Sequence, residues 1–184
     1  MVTIDKRLTN IEMDYLQRFI GQEMISVKHD AFYFVNSSSQ VVGLEKKDGT
    51  TYLYSFTEPL DYYGSIEDVA VWELSDEEYS FVKEKKLISS PVKEVVKEIH
   101  VVQEHQKLFE HERQIYDVWV TRGIIFDFGE HQYSLEKPVW FSTDIYIQKG
   151  YNLINKFTAT DRFVNDDWTD GYSATCEREI IDIK

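Results

Sequence analysis

Apolar residues recur at two different spacings along this chain, and each spacing predicts its own kind of element. Ile11, Leu16, Phe19 and Ile20 fall near helical intervals behind Thr9-Asn10-Ile11-Glu12. That tetrapeptide has the form of a capping box, a hydroxyl followed three residues later by a carboxylate. The pattern predicts one helix over 10–20, with Gly21 as its stop. From Met24 the spacing changes to alternation. Ile25 and Val27 sit between polar neighbours, and Ala31 to Val35 is rich in strand formers. Asn36 to Ser39 reads as a turn, and Val41 to Leu44 as the next strand. Asp48-Gly49 signals a hairpin whose returning strand runs from Thr51 to Phe56 and stops at Pro59. Ile66 to Leu74 alternates again. Ser75 to Glu78 then introduces a short helix carrying Tyr79, Phe81 and Val82.

Ser89-Ser90-Pro91, with its proline and two small polar residues, marks the best boundary between two units, 1–89 and 92–184, packed together as one globule. Beyond it, Val92, Val95, Val96, Ile99 and Val102 approach helical spacing, but β-branched residues favour strands, so 95–104 is read as strand. Tyr116 to Phe128 is strand-like, Asp127 to Glu130 resembles a second turn, and His131 to Leu135 returns before Pro138. Trp140 to Ile147 alternates. A short helix around 161–168 and a final strand at 180–183 complete the reading.

The two units can be overlaid. Asp48, Tyr54 and Pro59 lie at one constant offset from Asp127, Tyr133 and Pro138. Either a weak internal repeat or the shared grammar of two meanders accounts for the match. Each unit reads as a β-meander with a single apolar face. Crossover helices between strands are missing, which argues against a parallel doubly wound sheet. The expected fold class is therefore α+β: two antiparallel β-meander units with a few short helices.

Composition narrows the function. With 42% hydrophobic and 15% aromatic residues, the 184-residue chain can bury a core, which excludes disorder. Asp and Glu total 33 against 20 Lys and Arg, a net charge of −13 and a pI near 4.8. That balance repels a nucleic-acid backbone; spread evenly along the chain, it is the ordinary mark of solubility, and it also suits a basic protein partner. The single cysteine, Cys176, excludes an internal disulfide and a Cys-based zinc site. No apolar run reaches bilayer length, and no signal-peptide run opens the chain. The expectation is a soluble, cytoplasmic protein that binds no membrane.

Candidate chemistry is sparse. Three of the five histidines cluster with acids as His100, Glu104, His105 and His111, a possible metal-binding set. A strand reading places His100 and Glu104 on one side, with a hairpin near Gln106 bringing His111 across. The spacing matches no zinc motif, and a charged, solvated hairpin is the plainer alternative. Asp166 to Glu177 approaches a calcium loop, but Trp168 stands where an oxygen ligand belongs. Phosphate-binding glycine loops and nucleophile elbows are absent, so no catalytic residue and no cofactor is expected. The aromatic corners Asp61-Tyr62-Tyr63 and Trp140-Phe141, with Asp144, are candidate partner-binding positions, because Tyr and Trp anchor many interfaces. Filling the edge of a core is their other use.

The segment Val120-Thr121-Arg122-Gly123-Ile124, with Trp140-Phe141-Ser142-Thr143-Asp144-Ile145-Tyr146-Ile147, resembles a pattern in small uncharacterised bacterial proteins that carry a T-R-G-I strand and a W-F-S-x-[DE]-I-x-I strand. The resemblance implies no activity and supplies no catalytic residues. In size, charge and strand content the chain is also similar to small acidic bacterial immunity proteins. The expected role is non-enzymatic binding of a macromolecule, immunity- or antitoxin-like in its sharpest form. A metal-dependent enzyme built on the 100–112 cluster is the alternative, and a homodimer through exposed strand edges is a structural option.

Overall fold

In the computed structural model, residues 3–32, 35–60 and 67–184 are described. The chain runs β1 (Ile4–Lys6), α1 (Asn10–Gln17), β2 (Glu23–His29), β3 (Ser37–Ser39), β4 (Val41–Lys46), β5 (Gly49–Leu60), β6 (Glu67–Ser75), α2 (Ser80–Glu84) and β7 (Ile88–Val95). It continues as β8 (Glu98–Glu110), β9 (Arg113–Asp127), β10 (Gln132–Glu136), β11 (Asp144–Gly150), a 3-10 turn (Leu153–Lys156), α3 (Asp161–Val164) and β12 (Tyr172–Ile183). Antiparallel strands in two sheets with a few short helices make this an α+β fold.

The capping box forms as the sequence predicts. Glu12 N–H donates to Thr9 Oγ1, and Thr9 N–H donates to the Glu12 carboxylate at 2.7 Å, so α1 begins with two of its free donors satisfied. Alternation then builds the sheets. One has five strands in the order β6-β5-β4-β2-β7, and the other runs β12-β8-β9-β10-β11-β3. Strand β1 adds to the second sheet as a parallel partner of β9, at Val118–Val120, just before β10 takes up the same side at Gly123–Asp127.

Neither sheet can bury its apolar face alone, so the two close on each other. Met24, Leu44, Leu53 and Leu74 of the five-stranded sheet share one core with Ile99, Val101, Ile124, Phe126, Leu135 and Ile145 of the seven-stranded one. Leu16 of α1 and Phe19 just beyond it fill the end, Phe19 meeting Phe126 edge-on at 5.8 Å. Two polar ties cross the layer. Trp72 Nε1 donates to the Thr121 carbonyl at 2.9 Å, and buried Lys137 donates to Ser55 Oγ and the Val71 carbonyl, both at 2.6 Å. Burial holds the Lys137 amine well below its ordinary pKa.

Several expectations change. Ser37 to Ser39 is strand, not turn, and pairs with β11 in the opposite sheet. Pro59 lies inside β5 opposite Asp68. A proline is tolerated there because β4 pairs β5 only as far as Tyr54, leaving the later residues with one partner strand. Ser89-Ser90-Pro91 lies inside β7, an edge strand paired with β2, where a missing N–H again costs little. The passage between sheets falls later, at Val96-Lys97, and both residues are hydrogen-bonded to neighbouring segments. Ala31 and Phe32 are outside any strand, and Tyr33 and Phe34 lie outside the described residues. The strand reading of 95–104 holds except at Val96-Lys97, with Val95 ending β7 and β8 running from Glu98, but the β8 hairpin turns at His111-Glu112, not near Gln106. Both turn residues have positive φ, +44° and +68°, the left-handed backbone that a tight hairpin of this twist requires.

The segment Thr121-Arg122-Gly123 carries a β-bulge. Val102 pairs with Gly123 and Gln103 with Thr121, so Arg122 is the extra residue. Gly123 lets β10 approach, since a Cβ there would meet the Leu135 carbonyl oxygen at 2.4 Å. Gly123→Ala is expected to destabilise the protein by about 1–3 kcal/mol, read as a lower urea midpoint with an unchanged slope.

Candidate functional site

The bulge sends Arg122 to the outer face of the seven-stranded sheet, the face turned away from the inter-sheet core. There β8, β9, β10 and β12 deliver Glu104, Arg122, Glu136 and Arg178 into a buried charged cluster. Arg178 donates to Glu104 Oε1 through Nε at 3.1 Å and Nη2 at 2.5 Å, while Gln106 Nε2 donates to Glu104 Oε2 at 2.9 Å. Arg122 Nη2 donates to the Pro138 carbonyl at 2.7 Å, and its Nε lies 3.5 Å from Glu136 Oε1 without a hydrogen bond. Glu136 accepts the Thr158 N–H at 2.8 Å. Burial pushes the Glu136 carboxyl above its ordinary value, and the charge of Arg122 pulls it part of the way back. Thr158, and Leu153 and Phe157 packed on Val102 and Ile125, fold the chain after β11 over this face. Paired and covered in this way, the cluster pins that segment to the sheet.

Cys176 joins the edge of the same cluster. Burial, and then the nearby Glu104, push its thiol up to about 12, away from the thiolate form in which cysteine reacts.

The four residues read from sequence as a metal set do not converge. Side chains alternate along a strand, so Glu104 and His105 leave β8 on opposite faces. Glu104 is held by Arg178. His105 Nε2 lies 2.6 Å from Asp117 Oδ1 and stacks on Trp119 at 4.4 Å. Arg7 also lies over that indole, at 4.7 Å. His111 sits in the β8–β9 turn, roughly 35 Å along the strand from His100 at the usual rise per residue. His100 stays near the opposite end of β8, with its Nδ1 2.7 Å from Asp182 Oδ1. Among the described residues, the ligand atoms that come together are those of Glu98, His100 and Asp182. The sequence reading missed Glu98 and Asp182. Only the β8–β12 register, which places His100 opposite Asp182, reveals them.

Of the partner-binding candidates, Asp61, Tyr62 and Tyr63 lie outside the described residues. Trp140 and Asp144 are half-buried at the corner that leads into β11. Trp140 meets Phe141 at 5.3 Å, Phe163 of α3 at 5.1 Å and Trp168 at 5.9 Å, so its ring belongs to a four-membered aromatic cluster. Phe141 remains 54% exposed. Trp168, which broke the calcium-loop pattern, anchors its own loop by donating from Nε1 to the Phe163 carbonyl at 2.8 Å. Around it, Asp166, Asp167 and Asp170 are exposed. Sequence reasoning missed this pairing of Trp168 with Trp140 because the two lie on separate segments.

No helix among the described residues is long and apolar enough to cross a membrane. No protein-family model matches the chain, and no curated protein or solved structure matches it either.

The His105–Asp117 pair makes a pH prediction. Burial pushes the Asp117 carboxyl up, but hydrogen bonds from His105, Gln114 and Thr3 outweigh it and leave the pKa below its ordinary value. A carboxyl lowered in the folded state stabilises above its unfolded pKa of about 3.9, and that stability is lost as pH falls through the folded value. Asp117→Asn is therefore expected to lower Tm at pH 7 and to flatten the decline of Tm below about pH 4. A Tm series across pH 2.5–7 for both proteins measures the difference.

Proposed function

We propose that the protein is a non-enzymatic binding protein whose partner is a basic protein, in the manner of an immunity or antitoxin protein. One observation carries the reading. The aromatic corner of Trp140, Phe141 and Trp168 is partly exposed and is set beside the acids Asp144, Asp166, Asp167 and Asp170, in a chain of net charge −13. Half-exposed indoles on a rigid support supply contact area at little entropic cost, while surrounding acids steer a basic partner and raise its association rate. Ring contacts with Phe163 and Trp168 hold Trp140 in place, so the corner is preorganised. Leu60 and Val69, which flank the segment containing Asp61, Tyr62 and Tyr63, pack in the same apolar cluster as Trp140.

Immobilised protein, exposed to extract of its native cell at about 50 mM and about 500 mM salt, tests the proposal. The expected result is a basic protein retained at low salt and released at high salt. Trp140→Ala, and the double change Asp166→Asn with Asp167→Asn, are each expected to weaken that capture about tenfold, a loss of about 1.4 kcal/mol. Capture that ignores both salt and these substitutions contradicts it.

A further inference from the structure

Strand β8 turns Ile99 and Val101 into the inter-sheet core, so Glu98 and His100 point outward. Register brings two more acids to the same face. His100 lies opposite Asp182 of β12, and Glu98 lies opposite Asp127 of β9. Three adjacent strands thus present one imidazole and three carboxylates at one end of the sheet. His100 Nδ1 is 2.7 Å from Asp182 Oδ1, and its Nε2 is 3.9 Å from Asp127 Oδ2. Glu98, His100 and Asp182 each offer a ligand atom within 4.8 Å of the others.

One further observation favours a cation here. Like charges directly opposite each other destabilise a sheet, and Glu98 and Asp127 form such a pair. Lys184 Nζ reaches Glu98 Oε1 at 3.1 Å and is the cation that a metal ion displaces from that carboxylate.

We propose that Glu98, His100 and Asp182 bind a divalent transition-metal cation of the zinc class. The imidazole selects such an ion over calcium or magnesium, which take oxygen ligands. With bonds of about 2.0–2.2 Å, tetrahedral ligand atoms stand roughly 3.4 Å apart. The His100–Asp182 contact opens and the wider separations close, each by about 1 Å, a shift within reach of side-chain rotation. Asp182 is exposed, so water completes the coordination sphere, and Asp127 adds negative charge from the neighbouring strand. The site uses none of the residues of the partner-binding reading and stands or falls separately from it.

Calorimetric titration of untagged, chelator-stripped protein with zinc chloride tests the site. The expected result is one zinc ion per chain. His100→Ala is expected to weaken binding at least tenfold with an unchanged circular dichroism spectrum, whereas His111→Ala leaves binding unchanged. Lys184→Ala releases Glu98 and is expected to tighten binding severalfold. Absence of saturable binding overturns the proposal, as does zinc affinity that is insensitive to His100→Ala.

Discussion

The burial of two one-sided sheets against each other is the constraint on which the rest of this structure depends. Each sheet is apolar on one face, and neither carries enough helix to cover it. Closing the sandwich satisfies both faces at once, with Leu44 and Leu53 meeting Ile124 and Leu135 in one core. Exchanged strands tighten the closure. Strands β1 and β3 come from the first third of the chain, yet pair with β9 and β11 in the sheet built mostly from the second half. The seven-stranded sheet therefore draws on both halves of the chain, the two sheets share one core, and Ser89-Ser90-Pro91 lies within β7.

Chemistry is displaced outward by this arrangement. Polar groups of the inner layer, among them Lys137 and the indole N–H of Trp72, make bonds across it. The outer face of the seven-stranded sheet has no second sheet, and the segment after β11 covers it instead. Because that cover is short, it closes over charges as well as apolar groups, and Glu104 with Arg178 becomes a buried pair. Two accessible groups lie at the margins: the aromatic corner at Trp140 and the imidazole–carboxylate cluster at His100.

The elements set by local pattern were legible in the sequence. The capping box at Thr9, the hairpin at Asp48-Gly49 and the alternation through Ile99 and Val101 each depend on neighbours a few residues apart, and each stands in the fold. Elements set by long-range pairing were not. Ser37 to Ser39 has turn composition, and only Asp144 to Tyr146 across the sheet makes it a strand. Pro59 read as a strand end because sequence does not show that β5 outruns β4 and keeps a single partner strand there. The site residues divide in the same way. His100 was visible, but its companions Glu98 and Asp182 depend on register, and the meeting of Trp140 with Trp168 depends on the packing of α3. Glu104 and His105 looked like companions because they are adjacent in sequence, which on a strand places them on opposite faces.

Native-state hydrogen exchange tests the joint closure of the sheets most directly. Core amides of β4 and β5 in one sheet, and of β8 and β9 in the other, are followed as urea is raised. If the two faces depend on each other, the slowest amides of both sheets open with the same free energy and the same urea dependence. A separate opening of the five-stranded sheet, at lower free energy and with a smaller urea slope, contradicts the account.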